Sequence, residues 1–391
     1  MNCLEGPQPL CDSPYPGFKP QFIVRVSMAV AASTQGMALS SSPETRHLSA
    51  VRVWLYVLAA LVIAMIAVGG ATRLTGSGLS ITEWKPVTGA IPPLSEQAWL
   101  AEFEKYRQIP QYELVNKGMT LSEFKFIYAW EWGHRQLGRL IGLVFFLPLV
   151  FFWLRGTIKG RLALTLLGIG ALGGLQGAVG WIMVASGLEP GMTAVAPIKL
   201  ALHLTVASVI LACLVWVASG LRRDELALRA EPTLGRAPAV ILALVLVQIA
   251  LGGLVAGSKA GFTYNTWPLM DGDFVPPAAV LFSVKPLVEN FVDNLALVQF
   301  NHRMVAYALV AFALWHAWSV GRRAPTTGAA RRARALAGLC LAQMALGIAT
   351  LLLVVPLWAG LLHQVFAMVV LCMAVAHARV SGLAAARPAT A

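Results

Sequence analysis

The sequence predicts an all-α integral membrane protein whose eight transmembrane helices form two pseudo-symmetric four-helix bundles. Hydrophobic residues make up 58% of the 391 residues and charged residues only 12%, whereas soluble domains contain roughly 45–50% and about 25%. Apolar stretches of about 20 residues, long enough to cross a bilayer, recur along the chain. The same residue landmarks also appear twice in the same order. These observations exclude a soluble enzyme, a disordered chain and a disulfide-rich secreted protein.

Hydropathy places eight spans along the chain, of which the last two are joined by a tight turn at Pro356. The predicted spans are 52–71, 127–154, 162–185, 199–221, 237–257, 295–320, 335–355 and 357–378. Residues 1–50 have neither the composition of a transit peptide nor the apolar core of a cleaved signal, so we interpret them as a disordered cytoplasmic leader. The rest divides into an N-terminal half (51–223), a C-terminal half (237–380) and a cytoplasmic tail (381–391).

Basic residues concentrate on one side of the predicted membrane. The formal net charge is +12, and the connections after spans two, four and six carry clusters of Arg and Lys, whereas the connections 186–198 and around Pro356 carry none. The positive-inside rule then places both termini in the cytoplasm. Because the membrane topology accounts for this charge, no nucleic-acid partner is predicted. The Ala-, Gly- and Arg-rich composition without a transit peptide favours a multi-pass protein of the bacterial cell inner (plasma) membrane.

An internal repeat relates the two halves of the chain. The landmarks pair in one order: Gly69-Gly70 with Gly252-Gly253, Trp84 with Trp267, His134-Arg135 with His302-Arg303, Gln176…Gly180 with Gln343…Gly347, and His203 with His363. Each repeat has four spans, so both halves enter the membrane in the same direction. The loops after the first span of each half, about 72–126 and 258–294, are long enough to predict functional lids. Polar decoration of the surface is the alternative.

Four of the seven histidines occupy equivalent places in the repeat, near the external starts of spans two, four, six and eight: His134, His203, His302 and His363. The predicted packing sets His134 opposite His203 and His302 opposite His363. Paired histidines across a helical bundle can ligate a heme iron from both faces. Bonding to backbone carbonyls or helix packing is the alternative. Zinc is disfavoured, because no Cys or carboxylate cluster completes a tetrahedral ligand set.

Other histidines and the glycines of span three are interpreted as structural. His316 and His377 lie near the cytoplasmic ends of their spans without matching partners, and His47 belongs to the leader. Glycines in span three fall at small-xxx-small spacing, which favours close helix approach. Room for a flat macrocycle is the functional alternative for this set: Gly170, Gly173, Gly174, Gly177 and Gly180.

The two halves differ one turn before the first histidine of each. Glu131 precedes His134 by three residues, and Gln299 holds the same place before His302. Residues three apart share a helix face, so Glu131 is predicted to point toward whatever His134 binds. A carboxylate there can accept a proton, which an amide does not do in the same way. An interfacial glutamate near the membrane surface is the alternative.

Three arginines near the outer ends of the spans are candidate contacts for heme propionates. Arg73, Arg135 and Arg303 hold these places, and a guanidinium group can bind a carboxylate through two charge-assisted hydrogen bonds. Snorkelling of the side chains to lipid phosphates explains the same positions.

Together these segments resemble the heme A synthase family of bacterial and mitochondrial inner membranes. The matching segments are GGATRLTGSGLSITEWKPVTGAIPP, EWGHRQLGRLIG, LHLTVA, NTWPLM, NHRMVAY and LLHQVFA. The resemblance implies eight helices in two halves with a heme in each. It also implies oxidation of the C8 methyl group of heme O to a formyl group, which makes heme A for cytochrome oxidase. The chain lacks the loop cysteine pair of some members, so it resembles the cysteine-free branch.

The resemblance also implies roles for the matching residues. Glu131 matches the essential, catalytic glutamate of the family. The pair His134 and His203 matches the ligands around the substrate heme, and the pair His302 and His363 matches the ligands of a heme b. The implied small molecules are therefore heme O as substrate, heme A as product and heme b as cofactor, with heme iron as the metal at all four histidines.

Two other classes of protein stay open at this point. A diheme b-type membrane cytochrome would relay electrons from quinol without changing a substrate heme, and four histidines alone do not exclude it. A transporter with parallel repeats would place its site near the membrane midplane, whereas these histidines lie near one surface. The one-sided Glu131 favours an oxidoreductase. Besides heme O and lipid, candidate partners are a heme O synthase (a farnesyltransferase), cytochrome oxidase assembly factors and a second copy of the chain.

Overall fold

The computed structural model describes residues 43–221 and 232–385, and within these ranges the chain is built from helices with no β-strand. The predicted leader up to residue 42, the connection 222–231 and the tail from residue 386 lie outside the described residues. Eight apolar helices within the described residues are long enough to cross a membrane, and all of them lie within the compact unit His47–Ala391.

Eight long helices confirm the eight predicted spans, and the protein is a multi-pass membrane protein. The helices are α1 (Pro43–Leu74), α2 (Leu121–Leu154), α3 (Gly160–Gly187), α4 (Pro197–Gly220), α5 (Ala237–Ser258), α6 (Leu295–Arg323), α7 (Gly328–Leu352) and α8 (Leu357–Ala385). Several begin before the predicted span, because hydropathy marks only the apolar part of a helix. Thus 43–50 of the predicted leader and 381–385 of the predicted tail are helical.

Polar caps explain where two of these helices start. The Thr120 hydroxyl accepts from the Glu123 backbone N–H, and the Glu123 carboxylate accepts from the Thr120 backbone N–H, which makes a capping box before α2. The Thr327 hydroxyl accepts from the Ala330 backbone N–H before α7. Each cap satisfies backbone donors that have no partner within the helix. Both helices therefore extend beyond their apolar segments.

Contacts between the helices are consistent with the predicted two-half arrangement. Helix α5 contacts α6 and α8, and α7 contacts the same two helices, so the second half closes a ring of four. Helix α4 packs on α5 and α8, which joins the halves. Trp54 Nε1 of α1 donates to the Val144 carbonyl of α2 at 2.7 Å, and Gln364 Nε2 of α8 donates to the Ile66 carbonyl at 2.7 Å. The assignment of two four-helix bundles stays a prediction that these contacts support.

The long loop between α1 and α2 is ordered and packed onto α2. It contains the short helices Glu96–Arg107 and Pro110–Leu114. Phe103 and Tyr106 of the first short helix pack with Phe124 of α2 in a buried aromatic cluster. At its surface the Lys105 and Lys85 ammonium groups bond the Glu83 carboxylate and lower its pKa. These contacts keep the loop close to the start of α2.

Candidate functional site

Each of the four predicted histidines rests on a glycine of the preceding helix. A Cβ atom added to the glycine would approach the imidazole ring closely in all four cases: 3.1 Å between Gly69 and His134, 2.8 Å between Gly180 and His203, 3.1 Å between Gly252 and His302, and 2.7 Å between Gly347 and His363. Because a Cβ atom seldom approaches other atoms this closely, a larger residue would displace the ring. The repeat therefore preserves the support of each imidazole as well as the imidazole itself.

Glutamine side chains on neighbouring helices donate hydrogen bonds to the backbone carbonyls of three of the four histidines. Gln176 Nε2 donates to the His203 carbonyl at 2.9 Å, Gln248 Nε2 to the His302 carbonyl at 3.0 Å, and Gln343 Nε2 to the His363 carbonyl at 2.9 Å. The Oε1 atom of each glutamine is buried without a hydrogen-bond partner among the described residues. Gln248 was missed from the sequence, although a lone amide inside an apolar span is a signal of function.

The rings of the second histidine pair are spaced as two ligands of one metal would be. The ring centroids of His302 and His363 are 6.5 Å apart. Since a ring nitrogen bonds a transition metal at about 2 Å, this separation fits one metal between the rings. Within the described residues no group of three or more His, Cys, Asp or Glu side chains converges on one point. Two imidazoles at this spacing can hold the iron of a macrocycle that supplies the other ligands.

A cavity of 270 Å³ lies beside this second pair. Its volume is near the lower end of the roughly 300–1,000 Å³ typical of cofactor sites. Both histidines line it, together with Arg303, and Arg73 of α1 reaches it from the first half. Most of the remaining lining is apolar, which suits a flat hydrophobic molecule with charged groups at one edge.

A buried carboxyl group, that of Glu131, lies one helical turn before His134 of the first pair. Glu131 is 3% exposed. Its Oε2 accepts from the Ser80 hydroxyl at 2.7 Å and from the Ile81 backbone N–H at 2.9 Å. Its Oε1 accepts from Arg135 Nη2 at 2.6 Å. The carboxylate is therefore bonded to the loop after α1 and to its own helix, and makes none of these hydrogen bonds to His134.

In the second half, Gln299 occupies the corresponding place. Its side chain donates hydrogen bonds to the loop, whereas the Glu131 side chain accepts them. Gln299 Nε2 donates to the Ala260 and Thr263 carbonyls at 2.8 and 2.6 Å, and its Oε1 accepts from Arg303 Nη2 at 2.7 Å. Glu131 and Gln299 thus each bond the loop that follows the first helix of their own half to the second helix of that half. Only the first half uses a negative charge to do so.

The three predicted arginines differ in their surroundings. Arg135 donates to the Ile81 and Glu83 carbonyls as well as to Glu131. Arg303 makes an equivalent set to loop carbonyls and Gln299, but its Nε is buried without a partner among the described residues. Arg73 makes no side-chain hydrogen bond within the described residues. Of the three, Arg73 therefore has the most donors available in the second-half cavity.

The prediction that His316 and His377 have no matching partners is wrong. Their Nε2 atoms are 2.9 Å apart, and both side chains are buried. They are partners of each other across the centre of the second-half ring, in which α6 and α8 lie diagonally opposite. At this separation the N–H of one imidazole donates a hydrogen bond to the bare nitrogen of the other, which leaves no room for a metal between them. The sequence offered a signal: each residue lies fourteen positions after a predicted ligand, His302 or His363.

Comparison with known proteins identifies the family. A model of the cytochrome oxidase assembly protein family (COX15-CtaA) matches residues 52–375. The chain belongs to this family. Curated relatives named heme A synthase cover most of it. The one from Methylobacterium sp. (strain 4-46) is 69% identical over 336 residues, 86% of this chain and 93% of the relative. The one from Brucella ovis is 53% identical over 345 residues, 88% of this chain and 95% of the relative.

The cytochrome oxidase assembly family match includes every residue of the candidate site. Glu131, the four paired histidines and the three arginines all lie between residues 52 and 375. A third relative named heme A synthase, from Methylobacterium radiotolerans, is 66% identical over 348 residues, 88% of this chain and 94% of the relative. The similarity therefore covers both halves of the fold and is not confined to one of them.

Proposed function

We propose that this protein makes heme A by oxidising the C8 methyl group of heme O to a formyl group. Membership of the cytochrome oxidase assembly family and relatives named heme A synthase support this activity. The observation that carries the proposal is an asymmetry. The histidines of both pairs pack on glycines of the preceding helix, but only the first pair has a carboxyl group one turn away. An electron relay needs no such difference, whereas an enzyme with one substrate heme does.

The two histidine pairs would hold different hemes. His134 and His203 would hold the substrate in the N-terminal half (51–223), and His302 and His363 would hold a heme b in the C-terminal half (237–380). The 6.5 Å ring separation and the cavity at the second pair support one porphyrin there. When bound, heme b would supply one-electron redox chemistry that carries electrons away from the substrate.

Glu131 would serve as a proton acceptor or as a stabilising charge beside the substrate heme. Net conversion of a methyl to a formyl group takes up the oxygen of one water molecule and releases four electrons and four protons. Two of each leave in forming the alcohol and two in forming the hydrated aldehyde, which then loses water. Glu131 can either accept a proton or stabilise positive charge that develops on the substrate. Its three hydrogen-bond donors, one of them the Arg135 guanidinium, suit a fixed negative charge. This arrangement supports the charge-stabilising role.

The arginines would bind the carboxylates at the edge of each porphyrin. Arg73 and Arg303 line the second-half cavity, so they would contact the propionates of heme b. Arg135 is engaged with the loop, and a propionate contact would have to share its donors. Contact between Arg73 and the second-half heme would link the two halves, since Arg73 belongs to α1.

The glycine supports provide a sharp test of this heme placement. Gly347→Ala is expected to weaken heme b retention by up to about tenfold, because the new Cβ would lie 2.7 Å from His363 and force the ring off its preferred rotamer. Gly338→Ala in the same helix meets nothing within 4 Å and should retain heme b fully. Heme b would be measured by absorbance of the purified protein. Equal heme b in both variants would contradict the placement.

Membrane orientation and partners complete the proposal. The basic connections support a bacterial inner-membrane location with both termini in the cytoplasm, which places both histidine pairs near the external surface. A heme O synthase and oxidase assembly factors are candidate protein partners, because heme O must arrive and heme A must leave. A second copy of the chain is a further candidate partner.

Chromatography of the extracted hemes tests the proposed function. Purified protein should yield heme b together with heme O or heme A. Heme b alone would indicate an electron-relaying diheme cytochrome, and colourless protein would contradict both heme assignments.

A further inference from the structure

The paired glycines of α1 and α5 each face two different helices. Gly69-Gly70 of α1 and Gly252-Gly253 of α5 are counterparts in the repeat. In both pairs the first glycine is half-buried and the second is buried. Successive residues point about 100° apart around a helix, so the two members of a pair face different neighbours. Each pair can therefore position two other helices at once.

The first glycine of each pair supports a histidine of its own half. A Cβ atom added to Gly69 would lie 3.1 Å from the ring of His134 on α2. One added to Gly252 would lie 3.1 Å from the ring of His302 on α6. In both cases the nearest atoms all belong to the imidazole. The first glycine thus sets how closely the first histidine of its half approaches the helix.

The second glycine of each pair faces the opposite half of the chain. A Cβ atom added to Gly70 would lie 2.5 Å from Oε1 of Gln364 on α8. One added to Gly253 would lie 2.9 Å from Cα of Ala201 on α4. Gln364 directly follows the second histidine of the C-terminal half, and Ala201 lies two positions before the second histidine of the N-terminal half. The contacts of the two pairs are therefore crossed between the halves.

A hydrogen bond reinforces the contact between α1 and α8. Gln364 Nε2 donates to the carbonyl of Ile66, which lies one turn before Gly70, at 2.7 Å. The same side chain lines the cavity beside His302 and His363. Gln364 is therefore bonded to the first half of the chain and forms part of the candidate heme b site. A larger residue at position 70 would displace its amide.

The two crossed contacts differ in how far they can adjust. Oε1 of Gln364 is the end of a flexible side chain, which can turn away from a new atom. Cα of Ala201 belongs to the backbone of α4, and Ala201 is buried. Because protein interiors are close-packed, a new Cβ atom at Gly253 would push α4 away from α5. Replacement of Gly253 should therefore have the larger effect.

We propose that each Gly-Gly pair positions both heme sites: its first glycine sets the first histidine of its own half, and its second glycine sets the helix of the second histidine of the other half. This inference rests on the proposed function, in which electrons pass from the substrate heme to heme b. The two hemes must then keep a fixed separation, and the crossed contacts tie each site to both halves of the chain. The four glycines are positioning residues, because they act through the histidines, Gln364 and α4.

Adjacent alanine substitutions in α1 test this crossed arrangement. Gly69→Ala should weaken retention of the first-half heme, measured as heme O plus heme A, by up to about tenfold and leave heme b in place. Gly70→Ala should instead weaken heme b retention by roughly threefold and leave the first-half heme in place, because it displaces Gln364. Both hemes would be quantified against protein by chromatography of pigment extracted from the purified protein.

The glycines of α5 provide the converse test. Gly252→Ala should lower heme b, and Gly253→Ala should lower the first-half heme more than heme b. Gly168→Ala on α3, where an added Cβ atom meets nothing within 4 Å, is the control and should retain both hemes. A general loss of stability would lower both hemes together, so opposite losses from neighbouring residues report positioning.

A double-mutant cycle identifies the route from Gly70 to heme b. Gln364→Ala removes the side chain that Gly70→Ala would displace, so Gly70→Ala should cause no further loss of heme b in the Gln364→Ala protein. Additive losses, or loss of only the first-half heme in both Gly69→Ala and Gly70→Ala, would overturn the positioning role alone. Wild-type protein that yields neither heme O nor heme A would overturn the proposed function instead.

Discussion

Glu131→Gln and Glu131→Ala are expected to lower heme A formation by about 10²–10³-fold, the usual cost of removing a positioned electrostatic group from an active site. A glutamine carries no negative charge, and its amide NH₂ would face the Ile81 backbone N–H that now donates to the carboxylate. Alanine would also leave Arg135 without its partner at 2.6 Å. The measurement is the ratio of heme A to heme b in pigment extracted from purified protein.

The ratio separates chemistry from folding, because heme b reports the amount of folded second half. Gln299→Ala is the matched control. It removes the side chain at the corresponding position, including its bonds to the Ala260 and Thr263 carbonyls. We expect it to lower stability and keep the heme A to heme b ratio near that of the wild-type protein. A normal ratio in Glu131→Gln would refute the role assigned to Glu131.

A single histidine substitution is expected to remove the heme from one half of the protein and to leave the heme of the other half bound. His302→Ala or His363→Ala should remove most of the heme b, because a heme held by two axial imidazoles loses one of its two protein ligands. His134→Ala or His203→Ala should remove heme O and heme A while heme b stays bound. Absorbance spectra and chromatography of the extracted hemes measure both effects in the same sample.

His316→Gln provides a control on the same helix as His302. The amide can still bond His377, whose Nε2 is 2.9 Å from His316 Nε2 in the native protein. We expect both hemes to remain, since this pair holds a hydrogen bond and no metal. Loss of heme b as complete as in His363→Ala would show instead that the second-half heme depends on this pair.

Local patterns in the sequence predicted much of the fold. Each of the eight spans is an apolar run long enough to cross a bilayer, so hydropathy found all of them. It placed some ends wrongly, as at Thr120, because a capping box extends a helix without adding apolar residues. The paired histidines were found because the repeat gives each of them a counterpart.

Contacts between distant parts of the chain were not predicted. The bond of Gln248 to the His302 turn joins residues 54 positions apart, and the His316–His377 bond joins residues 61 apart. Glu131 was expected to face the ligand of His134, but its carboxylate bonds Ser80 and Ile81, about 50 positions earlier. No periodicity reports such pairs, because they depend on how separate helices and loops pack.

The order of apolar runs and repeated landmarks by itself determined that this chain crosses the membrane eight times and carries two like pairs of imidazoles. Those features are local or recur along the chain, so composition and spacing reveal them. Only the tertiary structure decided that each of the four paired histidines packs on a glycine of the preceding helix and that Glu131 is bonded to a loop. Both depend on the distance between segments far apart in sequence, which is set by packing in three dimensions.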